Sequence, residues 1–162
     1  MKINFKRESI SFETKAPMQF LDVTEKIMDI IERHNFLDGF ISIQNLHTSA
    51  AIWCNENEPL LHEDLKQRLE RFASSKDQYQ HDNFEIRTVN MCDGECDNGH
   101  SHCKSVLFPT SIKLHIEKGR LILGTWQRLF FVELDRPRLR NLSVAMMGFF
   151  KGKPKKSALN KA

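Results

Sequence analysis

Residues 111–134 read SIKLHIEKGRLILGTWQRLFFVEL, and the order of side chains in this stretch decides the fold class. Apolar residues recur on both sides of Lys118-Gly119-Arg120, a sequence that favours a tight turn. Runs rich in Ile, Leu, Val and Phe that flank such a turn are typical of adjacent strands. The stretch therefore predicts a hairpin, with one strand over residues 111–116 and another over residues 121–134.

Short strand-like and helix-like segments make up the rest of the chain. Asp135-Arg136-Pro137-Arg138 predicts a second hairpin turn. Further strands are predicted over residues 3–12, 40–46, 50–54, 84–86 and 140–147. Amphipathic spacing predicts helices over residues 22–35, 59–72 and, as a third short element, 99–107. At the start of the first helix, Asp22 and Glu25 resemble a capping box.

The order of these elements limits the architecture. Strands follow strands, which favours an antiparallel α+β domain or a β-sandwich with helices over a doubly wound parallel fold. The chain has 162 residues, 40% of them apolar, so residues 1–150 are expected to form one domain with a sizeable core. No apolar run approaches the roughly 20 residues of a membrane span, and no signal-peptide pattern opens the sequence. We therefore expect a cytoplasmic protein with no membrane partner.

The net charge of +3 arises at one end of the chain. Residues 151–162 contain five lysines and no acidic residue, and subtracting these five from the 24 basic residues leaves 19 against 21 acidic ones. The domain therefore has a formal charge of −2 and is not expected to bind nucleic acid specifically. The lysine-rich tail is expected to be solvated and disordered, with a weak polyanion contact as the alternative.

Histidines occur in three separate polar segments that could form one site. His47-Thr48-Ser49 joins two predicted strands, Tyr79–Asp82 lies in an irregular region, and Asn98–Ser105 combines two histidines with an amide, a thiol and a lysine. Imidazole serves both as a metal ligand and as an acid–base group near neutral pH. The alternative for a histidine after a strand is a structural hydrogen bond. His100 and His102 could share one side of an extended segment or lie on different faces of a helix.

A second pattern combines thiols with imidazoles. Cys92-X3-Cys96-X3-His100-X-His102 offers the ligand types that zinc prefers, but its spacing differs from the common finger patterns, so a loop with incidental thiols is the alternative. Cysteines in a chain without an export signal are expected to be thiols or metal ligands before disulfides. The sequence lacks the common phosphate-loop, dinucleotide, metalloprotease and serine-hydrolase motifs. Composition and spacing thus predict a histidine-rich cleft without defining its reaction.

Several motifs together resemble one family. Ser111–Leu129, with Gly-Thr-Trp-Gln near its end, closely resembles the signature of the YjbQ-like family, also called the secondary thiamine-phosphate synthase family. His47–Ala51 is similar to its His-Thr-Thr/Ser-Ala motif, Tyr79–Asp82 to its Tyr-X-His-Asp, and Asn98–Lys104 to its Asn-Ala-His-Ala-His-X-Lys. The resemblance covers about residues 3–147.

The departures from the family pattern are local. Residues 88–96 look like an insertion, and Arg136 replaces the glycine often found in the family's Asp-Gly-Pro-Arg turn. Because the inserted loop is not part of the family pattern, the resemblance counts against a zinc site at Cys92 and Cys96. The departures therefore concern loop geometry more than the histidine site.

The resemblance carries expectations about fold, assembly and activity. It implies a YjbQ-like β-sandwich of mainly antiparallel strands with two to three helices, usually assembled as a homotrimer. It also implies weak thiamine-phosphate synthase activity, in which a hydroxymethylpyrimidine diphosphate condenses with a thiazole phosphate and releases pyrophosphate, although the family's physiological role is unsettled. A subunit interface would also cover Leu129–Val132 and Phe149-Phe150, apolar runs that a small sandwich buries with difficulty.

The same resemblance assigns candidate residues to the cleft. The expected catalytic residues are His47, Asp64, His81, His102 and Lys104. The residues expected to bind a small phosphorylated ligand are Asn55, Asn98, Ser105, Trp126 and Gln127. The imidazoles of His47, His81 and His102, supported by Asp64, Asp82 and Asn98, would hold a divalent ion, Mg²⁺ or Zn²⁺. Trp126 fits a strand core as well as a pocket wall. The alternative function is a non-catalytic trimeric module that binds a metal or a small ligand.

Overall fold

A computed structural model describes residues 2–151, and the predicted lysine-rich tail lies outside the described residues except for Lys151. Eight strands are described, and their bounds are β1 Asn4–Glu13, β2 Gln19–Asp22, β3 Phe36–Asn45, β4 Ala50–Glu56, β5 Ser111–Glu117, β6 Arg120–Leu121, β7 Gln127–Glu133 and β8 Leu139–Phe150. The helices are α1 Thr24–Arg33, α2 Pro59–Phe72 and α3 Gly99–Ser105, and a 3₁₀ turn covers Gln80–Asp82.

The strands form two antiparallel sheets. The larger sheet has the order β1-β8-β3-β5-β6, and the smaller has the order β2-β7-β4. Long neighbouring strands hold the larger sheet together, since β8 pairs along its length with both β1 and β3. The prediction of an α+β fold with mainly antiparallel strands is confirmed. Among residues 2–151, no helix is long and apolar enough to cross a membrane.

The alternation of side chains in β7 explains how the layers pack. Leu129 and Phe131 lie in the main core, between the two sheets and beside α1. Phe130 and Val132 point to the opposite face of the small sheet and pack in a second cluster with Leu69 of α2. All four β7 side chains are fully buried within one chain. The expectation that a subunit interface must cover Leu129–Val132 was therefore wrong, because α2 covers the second face.

The hairpin at Lys118-Gly119 is confirmed, and the backbone shows why the sequence favours it. Lys118 and Gly119 have φ angles of 50° and 78°, the left-handed conformation that tight hairpins require. The strand predicted over residues 121–134 is instead divided. β6 ends at Leu121 in the large sheet and β7 begins at Gln127 in the small one, with Gly124 N–H bonded to the Gln127 side chain between them.

Three local predictions were wrong. Asp135–Arg138 does not form a hairpin turn, because β7 and β8 belong to different sheets and these residues cross between them. Residues 84–86 form a turn rather than a strand. The capping box at Asp22 is also absent: α1 begins after Val23 without a side-chain cap, while the Asp22 carboxylate accepts the Thr24 N–H and pairs with Arg128.

Candidate functional site

A cleft of about 470 Å³ opens where the small sheet meets α3, and the three predicted histidines all border it. His47 comes from the β3–β4 connection, His81 from the 3₁₀ turn and His102 from α3. The segments are far apart in sequence, so the fold, rather than local structure, creates the cluster. The expected convergence of His47, His81 and His102 on one cavity is thus seen in the geometry.

The 3₁₀ turn and α3 are fastened to each other by Asp82. Its carboxylate accepts the N–H groups of Asn98 and Gly99 at 3.0 and 2.9 Å, at the start of α3. A Cβ on Gly99 would lie 2.5 Å from Tyr79 Cβ, so only glycine permits this approach. As a result, the rings of His81 and His102 lie with their centroids 4.6 Å apart.

The surroundings of the His102 and His81 rings differ. Burial, followed by the neighbouring His81, lowers the pKa of His102, while a hydrogen bond to the Thr48 main chain opposes the shift. The Nε2 atom of His81 is buried and has no hydrogen-bond partner among residues 2–151. An imidazole nitrogen can accept or donate a hydrogen bond, so this nitrogen of His81 is available to a bound ligand.

His47 has a different environment. Its Nε2 accepts the backbone N–H of Asn141 at 2.8 Å, which ties the β3–β4 connection to β8. Burial, followed by the charge of Arg140, lowers the pKa of His47. The side chain of Asn45 also shapes this connection by donating to the carbonyls of His47 and Ala50 at 2.6 Å. His47 therefore borders the cleft with one nitrogen already committed to the backbone.

A buried ion pair forms the floor of the cleft. Arg140 Nε donates to Glu133 Oε2 at 2.6 Å, and both side chains are almost completely buried. Thr14 donates a further hydrogen bond to Glu133, and Arg140 reaches the Ser49 hydroxyl. The carboxylate and guanidinium are thus well supplied with partners, which a buried charge pair requires.

Two further arginines border the cleft, each beside an acid. Arg138 Nη2 lies 2.7 Å from Asp135 Oδ2, and the two side chains form an ion pair. Burial raises the pKa of Asp135, although Arg138 and a hydrogen bond from Asn98 counteract it. Arg87 lies 3.6 Å from Glu95 and donates to the His81 carbonyl. With Arg140 and Glu133, every arginine of the cleft therefore has a carboxylate partner.

Lys104 lies on the opposite face of α3 from His102. Its Nζ is buried and donates to Glu70 Oε2 of α2 at 2.8 Å, with His100 Nδ1 at 3.3 Å. Despite its partial burial, hydrogen bonds from Lys104 and Ser75 lower the pKa of Glu70 to about 2. The segment is helical, so His100 and His102 lie on different faces, one of the two arrangements that the sequence allowed.

The remaining predicted site residues lie in several places. Asn98 borders the cleft, and Ser105 lines an adjoining groove beside His102. Asp64 is exposed on α2, and Trp126, 71% exposed, lies neither in the core nor in a pocket wall. Asn55 pairs with Arg128 next to Gln127, about 17 Å along β4 from Ala50 at the cleft end. Within one chain, these last four residues are not brought to the histidines.

The cysteine pattern does not assemble a site. His100 faces Lys104, and Cys96 Sγ lies 3.9 Å from Arg138. Cys92 borders the histidine cleft and contacts Glu95. Within residues 2–151, no three side chains of the His, Cys, Asp and Glu types are already grouped to hold a metal ion.

Comparison with known proteins assigns the chain to a family. The model of the YjbQ-like UPF0047 proteins matches residues 8–149. A UPF0047 protein of Archaeoglobus fulgidus is 30% identical over 135 residues, spanning 83% of this chain and 96% of the relative. The chain belongs to the YjbQ-like family. A Methanothermobacter thermautotrophicus UPF0047 protein is likewise 30% identical, over 87% of this chain and 91% of its own length.

Solved structures of YjbQ-like proteins share the fold. A YbjQ-like protein of unknown function from Sulfolobus solfataricus superposes with a TM-score of 0.80 at 27% identity, covering 91% of this chain and all of the other. A hypothetical protein from Aeropyrum pernix gives a TM-score of 0.73 at 30% identity, covering 88% of this chain and 99% of its own. The YjbQ-like fold is therefore shown for this chain.

Sequence reasoning about the YjbQ-like cleft missed its arginines and the acids beside them. Asp135 and Arg138 belong to the Asp-X-Pro-Arg segment, which was interpreted only as a turn. Arg140 and Glu133 lie in strands whose alternation gave no sign of a buried ion pair. The signal that could have found the first two was the polar character of a connection between two strongly apolar strands.

Proposed function

We propose that this YjbQ-like protein is an enzyme that acts on a small phosphorylated ligand in the histidine cleft. The observation that supports this function is the contact between the rings of His81 and His102, with a nitrogen of His81 that has no hydrogen-bond partner among the described residues. Imidazoles that can change protonation near neutral pH serve as acid–base groups. The cleft volume of about 470 Å³ is within the range of small-molecule sites.

The reaction we propose is the weak thiamine-phosphate synthase activity implied by the family resemblance. The ring nitrogen of a thiazole phosphate attacks the methylene of a hydroxymethylpyrimidine diphosphate. A C–N bond forms, the C–O bond to the diphosphate breaks, and pyrophosphate leaves with the bonding electrons. His81 or His102 would donate a hydrogen bond to the leaving oxygen, and Arg138, whose side chain is 33% exposed, would approach its charge.

Other expected residues receive more limited roles in this proposal. Lys104 would position α3, since its ammonium faces Glu70 rather than the cleft. His47 would shape the cleft wall through its bond to Asn141. Asp64, Asn55, Trp126 and Gln127 would contribute to ligand binding only if another subunit brought them near a cleft.

The proposed assembly is a homotrimer. Its interface is formed by a surface other than Leu129–Val132 and Phe149-Phe150, the runs expected from the sequence. Phe5, Met147 and Phe40 are cross-strand neighbours on the outer face of the large sheet, and each is more than half exposed. An exposed apolar row of this kind is typical of an interaction surface. Light scattering at micromolar concentration should give three times the 18.9 kDa chain mass, and a stable monomer would contradict the proposal.

The charge balance of the cleft favours a second candidate function, a binding module without catalysis. Each arginine of the cleft already faces a carboxylate, so among residues 2–151 the cleft offers no uncompensated arginine for a diphosphate. On this alternative, a small ligand binds and is released unchanged.

A product assay with matched histidine variants tests the proposal. Purified protein is incubated with the pyrimidine diphosphate and the thiazole phosphate, and thiamine phosphate and pyrophosphate are measured together. We expect slow formation of both, loss in His102→Gln and retention in His115→Gln, because His115 is exposed on β5 away from the cleft. Ligand binding without product would support the module, and equal activity of both variants would contradict the proposed site.

A further inference from the structure

The side chain of Asn98 is buried but does not cap the helix that follows it. Asn98 stands just before α3, a position from which an asparagine oxygen usually accepts a backbone N–H of the first helical turn. Its side chain makes no such bond. The Asp82 carboxylate instead holds the start of α3 by accepting the N–H groups of Asn98 and Gly99. The side-chain oxygen of Asn98 is therefore not used by α3.

The orientation of the Asn98 amide follows from its contact with Asp135. The Asn98 side chain is hydrogen-bonded to the Asp135 carboxylate, and because a carboxylate accepts, the amide nitrogen is the donor. The amide oxygen, Oδ1, has no hydrogen-bond partner among residues 2–151, although Asn98 is only 5% exposed. Buried polar atoms in native proteins nearly always have a partner, so this oxygen requires one that these residues do not supply.

His81 supplies a second unpartnered atom beside the same cavity. Its Nε2 is buried and makes no hydrogen bond within the described residues, and His81 and Asn98 both border the cleft with His102. The two atoms differ in chemistry, because an imidazole nitrogen can donate or accept whereas an amide oxygen only accepts. The group that satisfies Asn98 must therefore carry an N–H or O–H, while the group that satisfies His81 can be an acceptor.

A neutral donor suits Asn98 Oδ1 better than a cation does. Residues 2–151 contain no group of three His, Cys, Asp or Glu side chains that could hold a metal ion. An ammonium group would need a carboxylate nearby, and the carboxylate bonded to Asn98, that of Asp135, is already paired with Arg138. The partner expected for this oxygen is therefore an uncharged N–H or O–H group of a ligand.

The contacts of Asp135 give the ligand a direction in the cleft. Asp135 accepts a hydrogen bond from Asn98 and also pairs with Arg138, whose Nη2 lies 2.7 Å from Asp135 Oδ2. Arg138 is partly exposed and borders the same cavity, so its guanidinium can approach an anionic group. A ligand that matches both side chains carries a neutral N–H donor at one end and a phosphate at the other.

We propose that Asn98 sets the specificity of the cleft by accepting a hydrogen bond from an amino group on a nitrogen heterocycle, while His81 Nε2 donates to the adjacent ring nitrogen. The inference rests on the proposed function, in which a pyrimidine diphosphate binds here. An oxo group beside a ring N–H reverses the donor and the acceptor of the heterocycle. His81 can adapt to that reversal by changing tautomer, whereas Asn98 Oδ1 cannot. With His81 at the ring, His102 is the imidazole that faces the leaving oxygen.

Calorimetric titration of the full chain with two pyrimidine diphosphates tests this role without turnover. The two probes differ only in carrying an amino or an oxo group beside a ring nitrogen. We expect the parent protein to bind the amino probe about tenfold or more tightly than the oxo probe, since the oxo probe leaves Asn98 Oδ1 unpaired. Asn98→Leu should reduce the preference to about threefold or less. Asn57→Leu, a change at an exposed asparagine that does not border the cleft, should keep it.

The outcomes separate this inference from the proposed reaction. Equal binding of the two probes by the parent would overturn the inference and indicate that a buried water satisfies Asn98 Oδ1. A preference that Asn98→Leu leaves unchanged, or no binding of either probe, would also overturn it. An amino preference that depends on Asn98, without thiamine phosphate in the product assay, would support the inference and contradict the reaction. Circular dichroism checks folding, and Asn98→Ala replaces Asn98→Leu if the latter does not fold.

Discussion

The two faces of α3 place ionisable side chains in different environments. On one face, the ammonium of Lys104 is buried against Glu70 and fully engaged. On the other face, His102 contacts His81, whose Nε2 has no hydrogen-bond partner in the part of the chain that the structure describes. The Lys104–Glu70 pair holds α3 against α2, whereas the His81 ring keeps an unpaired nitrogen. The comparison teaches that α3 uses one face to pack against α2 and presents the other face to the cleft.

The largest loss of stability is expected from breaking the buried Arg140–Glu133 ion pair beside the cleft. Glu133→Gln would leave the buried guanidinium of Arg140 uncompensated, so we expect a loss of about 3–5 kcal/mol of unfolding free energy. Chemical denaturation measures it. Thr14→Val, which removes only one neutral hydrogen bond to Glu133, is the milder control and should cost roughly 1 kcal/mol. Equal effects of the two changes would contradict the account.

A smaller loss of stability is expected from a change at Lys104, on the face of α3 that packs against α2. Lys104→Met keeps most of the buried side-chain volume and removes the charge that faces Glu70. Because the Glu70 side chain is 39% exposed and can be solvated after the change, we expect a loss of about 1–3 kcal/mol. The thermal unfolding temperature should fall by several degrees, while the folded fraction should still form thiamine phosphate. Loss of product formation with little loss of stability would place Lys104 in the ligand site.

Low pH should weaken the ion pair between Lys104 and Glu70. The pKa of Glu70 is lowered from 4.5 to about 2 in the folded chain, so its stabilising effect is complete above about pH 4.5 and is lost as the pH falls toward 2. Solvent screening reduces the contribution to about 1–2 kcal/mol. Urea denaturation between pH 5 and pH 2.5 should show a steeper decline in the parent than in Glu70→Gln. Parallel declines would show that Glu70 does not contribute.

The sequence predicted the regular elements better than the connections between them. Hydrophobic periodicity is local, so α2 and the long strands β1 and β8 were found, although β8 extends beyond the predicted residues 140–147. The four-residue β2 was missed because so short a segment has little periodicity of its own. Which sheet a strand joins depends on distant partners, and this is why Asp135–Arg138 was mistaken for a hairpin turn.

The site was predictable in its histidines and unpredictable in its charges. Three polar segments, each with a histidine, indicated one cleft, and the fold brings them together. The sequence did not show which way the Lys104 side chain points. The helix turns it away from the cleft, toward Glu70 of α2, which is 34 residues away in the chain. The arginine–carboxylate pairs could not be predicted, because they form around the connection that crosses between the two sheets and the sequence did not reveal that crossing.

The most direct test of the central claim is His102→Ala, with stability and product formation measured on the same sample. A ring that faces a cleft contributes little packing, so we expect less than about 1 kcal/mol of lost stability together with loss of thiamine-phosphate formation. A structural histidine would instead cost roughly 1–3 kcal/mol, because its loss leaves a buried partner unsatisfied. A destabilised His102→Ala protein whose folded fraction forms product like the parent would contradict the assignment of this face of α3 to the ligand site.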